Sequence, residues 1–184
     1  TGAITLDVTN GALSGSASDL AAAFAGTVTT HTGTVTVTSA PTVTELKTIN
    51  DATTGAITLN VANGALSGSA SDVADAFAGT VTEHTGTVTL TTAPSVAQLK
   101  AINAATTGAI TLGVTNGALS GSAADLILAF AGTVTEHTGT ITITDAPTVA
   151  QLKTINAETT GAITLGVTNG ALSGSAADLV LAFA

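Results

Sequence analysis

Apolar and polar residues alternate with a period of two in short stretches that recur along the chain. In "GAITLDV" this places Ile4, Leu6 and Val8 on one face and Ala3, Thr5 and Asp7 on the other. In "GTVTVT", Val35 and Val37 oppose Thr34, Thr36 and Thr38. Such alternation predicts half-buried strands, with the β-branched threonines on the wet face. Between these stretches the spacing changes to that of a helix. In "SGSASDLAAAFAG", Ser16 and Asp19 have capping-box spacing, Leu20 and Phe24 share a face four residues apart, and Gly26 stands as a stop. In "TVTELKTIN", Thr42 caps, Glu45 answers three residues on, and Val43, Leu46 and Ile49 form a stripe. Ser95 with Gln98 and Thr148 with Gln151 repeat that arrangement.

The elements belong to one unit written three and a half times. "TGAITL" begins at Thr1, Thr54, Thr107 and Thr160, a constant spacing of 53. A shorter cousin begins at Thr32, Thr85 and Thr138, so Thr-Gly starts alternate by 31 and 22 residues. The chain therefore reads as a single array over 1–184, with repeats 1–53, 54–106 and 107–159 and a partial repeat 160–184. Two strand-helix segments per unit predict strands added in parallel through right-handed crossover helices. The expected fold class is α/β, a repeat solenoid of alternating short strands and short helices, its 53-residue unit made of 31- and 22-residue coils. Strands stack about 4.8 Å apart whereas packed helices need about 8–10 Å, so the unequal coils are expected to act as a stagger. Asn10-Gly11, Asn63-Gly64, Asn116-Gly117 and Asn169-Gly170 fit either a hairpin turn or a bend in one long strand. "TVTEHTGTVTL" carries the same two alternatives at His84-Thr85-Gly86, and the corner between successive elements is the favoured one.

Composition narrows the functional classes. Charged residues are 8% of the 184, against about 25% in an ordinary domain, and Cys, Met, Trp and Tyr are absent. A net charge of −9 repels phosphate backbones, so no nucleic-acid partner is expected. Polar residues interrupt every apolar run well short of the roughly 20 residues a span needs, so no membrane span is expected. Without cysteine there is neither a disulfide nor thiolate chemistry. The chain opens without Met or a leader signal, as though excised or processed, and it lacks the polar capping repeats that close most arrays. It is therefore expected to be a window on a longer protein or a filament subunit.

No catalytic, cofactor-binding or metal site is expected. His31, His84 and His137 are equivalent residues 53 apart, hence two rungs or roughly 9–10 Å apart, too far to share a zinc ion whose ligands lie within roughly 4 Å of one another. They are read as exposed corner residues. Ser69, Asp72 and His84 supply the residue types of a hydrolase, but Ser69 and Asp72 already have a capping role, and identical copies offer no single pocket. Glu83 and Glu136 precede their histidines where Thr30 precedes His31. Asp7 and Asn10 could offer oxygens to calcium, yet the equivalents of Asp7 are Asn60, Gly113 and Gly166. Lys47, Lys100 and Lys153 share one helix position, either solvated near the helix C-terminus or paired with acids of a neighbouring molecule. The Thr-x-Thr rows have two readings, an ordinary exposed sheet face or a regular hydroxyl array of the ice-binding kind.

The segments "ALSGSASDLAAAFAG" and "APTVAQLKTINAETTGAITL" resemble tandem repeats of very large secreted or cell-surface bacterial proteins of the cyanobacterial type, adhesin-like or surface-layer-like. The likeness covers essentially the whole chain. It implies an extracellular or cell-surface location and a structural role in a fibre, surface layer or adhesin stalk. The implied partners are copies of the chain itself or adjoining repeats, with a glycan or surface ligand as a further one. The alternative function is a binding module, an adhesin or a Thr-rich ice-binding face. Calcium-binding nonapeptides, frequent companions of such repeats, are missing from this sequence.

Overall fold

A computed structural model of the chain describes residues 3–6, 9–168 and 170–183. The architecture is α/β, with three parallel three-stranded sheets alternating with seven helices among the described residues. The first sheet joins β1 (Leu13–Gly15), β2 (Val35–Val37) and β3 (Ile57–Leu59), with α1 (Ala17–Phe24) and α2 (Val43–Ala52) as crossovers. The second joins β4 (Leu66–Gly68), β5 (Val88–Leu90) and β6 (Ile110–Leu112), with α3 (Ala70–Ala76) and α4 (Val96–Ala105) between them. The third joins β7 (Leu119–Gly121), β8 (Ile141–Ile143) and β9 (Ile163–Leu165), through α5 (Ala123–Phe130) and α6 (Val149–Asn156), and α7 (Ala176–Ala182) follows. Pairing is parallel throughout, and partners such as Leu13, Val35 and Ile57 stand 22 residues apart.

The period-two stretches fold as their pattern dictates. Val35 and Val37 are buried on either side of half-buried Thr36, and Ile57 and Leu59 are buried around exposed Thr58. The strands are only three residues long, because the chain turns away into a helix or a loop at each end. In the first copy the alternation is weaker: Ile4 makes one parallel bridge to Val28 and is 55% exposed. Asp7 and Val8 lie outside the described residues.

The helix signals also hold, with one difference of detail. Thr42, Ser95 and Thr148 form complete capping boxes with Glu45, Gln98 and Gln151. At Ser16 the box is half made: Ser16 Oγ accepts from the Asp19 amide at 3.1 Å, but the Asp19 carboxylate accepts from Ser16 Oγ at 2.7 Å, not from the cap amide. Asp is one methylene shorter than Glu and folds onto the nearer hydroxyl. After α1 and α5, Gly26 and Gly132 take φ of 110° and 88° just past the C-cap, a conformation that favours glycine.

Leu20, Phe24, Val43, Leu46 and Ile49 join one hydrophobic cluster that runs from Ala17 to Ala182. Each of the seven helices packs on the next in chain order, α1 on α2 through α6 on α7. Burying a side chain such as Leu46 or Ile49 contributes about 1.5–3 kcal/mol, and the repeats supply these positions at every rung. The Asn-Gly question is settled in favour of the bend. Residues 60–65 carry the chain from β3 to β4, two parallel strands in different sheets, and no antiparallel pair occurs among the described residues.

Candidate functional site

The chemistry-bearing residues that recur closest together are the histidine, threonine and glycines around each Thr-Gly start. The segment His84–Leu90 keeps one alternation throughout. His84, Val88 and Leu90 are buried, Gly86 is half-buried, and Thr85 and Thr87 are exposed. The His84 backbone pairs in parallel with Thr106, the His84 amide donating to Ala105 and the Thr107 amide donating to His84.

This placement corrects the expectation of exposed corner histidines. His31, His84 and His137 are only 1%, 2% and 2% exposed. The ring of His84 lies 5.7 Å from that of Phe77, and the Phe24–His31 and Phe130–His137 pairs repeat the contact. Nε2 of His84 sits 2.7 Å from the Gly64 carbonyl, which can only accept, so the ring hydrogen belongs on Nε2. Nδ1 then faces the Thr106 hydroxyl at 3.2 Å. That hydroxyl lies 2.8 Å from the His84 carbonyl and accepts from the Gly108 amide at 3.0 Å. His137 reproduces the set with the Gly117 carbonyl at 2.6 Å and Thr159. In the first copy Thr53 still donates to the His31 carbonyl at 2.9 Å, but Nδ1 and Nε2 of His31 are buried without partners.

Beside the histidine, glycine backbones pack directly on one another. A Cβ on Gly108 would lie 1.7 Å from the Gly86 carbonyl oxygen, and the same value holds at Gly55 over Gly33 and Gly161 over Gly139. A Cβ on Gly86 would in turn lie 2.5 Å from the Asn63 oxygen. The Thr-Gly rhythm is therefore dictated by close approach of successive coils, where no side chain fits. Together, His84, Thr106, Gly86 and Gly108 make a sealed hydrogen-bonded seam. A ring so deeply buried and engaged at both nitrogens presents no free base to a dissolved substrate.

Ser69 and Asp72 meet at the start of α3, Ser69 Oγ donating to Asp72 at 2.7 Å, while the His84 ring is engaged with Gly64 and Thr106. Glu83 is exposed. Of the calcium candidates, Asp7 lies outside the described residues, and Asn10 and Asn60 are exposed. Among the described residues, no group of three His, Asp or Glu side chains is placed to hold a metal ion.

The lysines pair within the chain. Lys47 reaches Asp75 at 3.0 Å and Asp51 at 3.2 Å, Lys100 pairs with Asp125, and Lys153 pairs with Asp178 at 3.0 Å. Each thus ties one helix to the next, and the acid that sequence reading sought on another molecule is 25 or 28 residues further along. Hydrogen bonds to Asp75 and Asp51 hold the Lys47 ammonium above its ordinary value. Asp125 is held below the usual carboxylate range by Lys100 and then Ser122, and Asp178 by Ser175 and then Lys153. Around the last two pairs open matching grooves of 490 and 580 Å³, floored by Gly121 and Gly174.

Two further ties were invisible in the sequence reading. Nδ2 of Asn50 donates to the Asp75 carbonyl at 2.8 Å, and that of Asn103 to the Leu128 carbonyl at 3.0 Å, satisfying the C-terminal end of the following helix. The first amides of α1, α3 and α5 are met by Ser39, Thr92 and Asp145 of the following coil. The recurrence of Asn at the end of each "IN" dipeptide is the signal for the first; the second changes residue type in every copy.

No protein-family model, curated protein or solved structure matches this chain. No helix among the described residues is long and apolar enough to cross a membrane.

Proposed function

We propose that the chain is a passive structural segment of an extracellular bacterial fibre, surface layer or adhesin stalk. In this reading it is an α/β solenoid of 53-residue units, each a 31-residue coil followed by a 22-residue coil. The observation that carries the proposal is that each coil's core face is completed by the next. Phe130 is 3% exposed beneath the coil that brings His137 onto it, whereas the matching Phe183 of α7 is 62% exposed. Such nearest-neighbour burial is the physics of a rod whose length grows by adding copies. Strand register supports the stagger: partners within a sheet are 22 residues apart, and the longer coil is that rung plus the nine residues from Ile57 to Leu66.

The interior ties serve stiffness, and the exposed face is acidic and rich in threonine. The natural partners are copies of the chain or adjoining repeats of a longer one, with a glycan or surface ligand on the Thr face. The extracellular assignment rests on the resemblance to bacterial surface repeats. Electron microscopy of the native material tests the proposal, the expected result being filaments or stalks of uniform width. A chain that stays monomeric at all concentrations and is found in no extended assembly would overturn it.

A second reading is favoured by one observation. Thr36 pairs with Thr58, Thr89 with Thr111 and Thr142 with Thr164, so hydroxyls stand in register on the outer face. These rows could bind an ordered surface such as ice, and thermal hysteresis in a freezing assay is the outcome that separates this reading from the passive one.

A further inference from the structure

The Asn-Gly turns carry a chemistry that neither the fold nor the proposed function uses. Asn10, Asn63 and Asn116 are exposed, and their side-chain amides make no hydrogen bond within the chain. The amides of Gly11, Gly64 and Gly117 are likewise outside the backbone hydrogen-bond network. An asparagine followed by glycine is the least hindered setting for attack of the next backbone nitrogen on the side-chain carbonyl carbon, because glycine has no side chain to block the approach. The glycine nitrogen forms a bond to Asn Cγ and gives up its proton, the Cγ–N bond breaks, and ammonia leaves. Water then opens the resulting five-membered imide to aspartate or to isoaspartate. Ring closure requires the Asn-Gly peptide to rotate out of its native orientation.

That rotation is restrained unequally in the three copies. The Gly64 carbonyl is held by Nε2 of buried His84 at 2.7 Å, and the Gly117 carbonyl by Nε2 of buried His137 at 2.6 Å. His31, in the same position, is as deeply buried, but neither ring nitrogen has a partner, so the Gly11 carbonyl lacks this restraint. The glycine packing is shared: a Cβ on Gly33, Gly86 or Gly139 would lie 2.4–2.5 Å from the nearest carbonyl oxygen of its Asn-Gly turn. The histidine bond is the difference between copies.

We propose that Asn10 is a site of spontaneous deamidation in the folded protein, and that His84 and His137 protect Asn63 and Asn116 by clamping the following glycine carbonyl. The sequence contains its own control, because Asn10 and Asn116 both sit in "VTNGALSGSA". Their intrinsic rates are therefore equal once the fold is removed. The test is a time course of the intact chain at mildly alkaline pH, followed by proteolysis and mass spectrometry with aspartate and isoaspartate resolved, in parallel with a denatured sample.

The expected result is that Asn10 and Asn116 convert at the same rate in denaturant, while in the native chain Asn10 converts about five-fold faster or more, the factor one net hydrogen bond is worth. Equal native rates, or faster conversion at Asn116, would overturn the proposal. In the variant His84→Leu, conversion at Asn63 is expected to rise while Asn116 keeps its rate. No change at Asn63, or an equal rise at Asn116, would show that the histidine bond is not the local restraint.

Discussion

Replacing Gly108 with alanine tests the idea that successive coils are set by backbone contact. The new Cβ would stand 1.7 Å from the Gly86 carbonyl oxygen and 2.5 Å from its carbonyl carbon, where ordinary contact begins at about 3.4 Å. Both obstructing atoms are backbone, so no side chain can swing aside. Relief requires the two coils to separate by more than an ångström. Three bonds flank the contact: the His84 amide to Ala105 at 3.0 Å, the Thr107 amide to His84 at 2.9 Å, and the Val88 amide to Ala109 at 2.9 Å. Stretching two of them costs about 1 kcal/mol each, and the overpacking adds about 1–3 kcal/mol. The expected loss is about 3–5 kcal/mol, a large part of the stability of a chain this size. Urea unfolding followed by circular dichroism measures it, with Gly15→Ala as reference, since a Cβ there would meet Leu20 at an ordinary 3.4 Å. A Gly108→Ala midpoint within about 0.5 kcal/mol of the parent would refute the reasoning.

Three other outcomes follow from the same geometry. Thr106→Val keeps the shape but removes the hydroxyl that serves the His84 carbonyl and the Gly108 amide, so a loss of about 1–3 kcal/mol is expected in urea unfolding, with exposed Thr107→Val unchanged. Leu99→Ala empties a fully buried position of α4 and should cost about 2–5 kcal/mol, read as a lowered Tm. Asp125 and Asp178 are held below the usual carboxylate range, so their contribution is present above that range and is lost as pH falls through the lowered values. A titration of stability should show this acid limb diminished in the double variant Asp125→Asn with Asp178→Asn. Lys47 has the opposite sign: its contribution holds below the ordinary lysine range and fades as pH rises through its raised value.

The helices were legible because each carries its own boundary chemistry. Thr42 with Glu45 and Ser95 with Gln98 are read from spacing alone, and the stripes Val43–Leu46–Ile49 and Val96–Leu99–Ile102 are buried as the period requires. The strands Val35–Val37 and Ile57–Leu59 were legible for the same local reason. The strands Leu13–Gly15, Leu66–Gly68 and Leu119–Gly121 were not. Each offers one apolar residue followed by serine and glycine, and it pairs because the next coil places Val35, Val88 or Ile141 beside it. The inter-coil ties of Lys100, Asn103 and Asp145 were hidden for a related reason: their partners lie 22 to 25 residues away, beyond any local pattern.

The histidine was misread although its signal was present. Extending the alternation of Val88 and Leu90 backward by two and four residues reaches Gly86 and His84, and the same step from Ile57 and Leu59 reaches Gly55 and Thr53. Both series face inward, with His84 and Thr106 fully enclosed. A hydropathy scale breaks off at the glycine and assigns the polar residue beyond it to solvent. What overrides the scale is mutual satisfaction. The histidine ring finds a carbonyl and a hydroxyl, and the hydroxyl finds a carbonyl and an amide, so little desolvation cost is left uncompensated. His31 shows the converse, since with its ring unpartnered the same burial carries that cost in full. The glycine between polar and apolar residues is what permits the arrangement, because only a backbone without a side chain lets neighbouring coils approach closely enough to close these bonds.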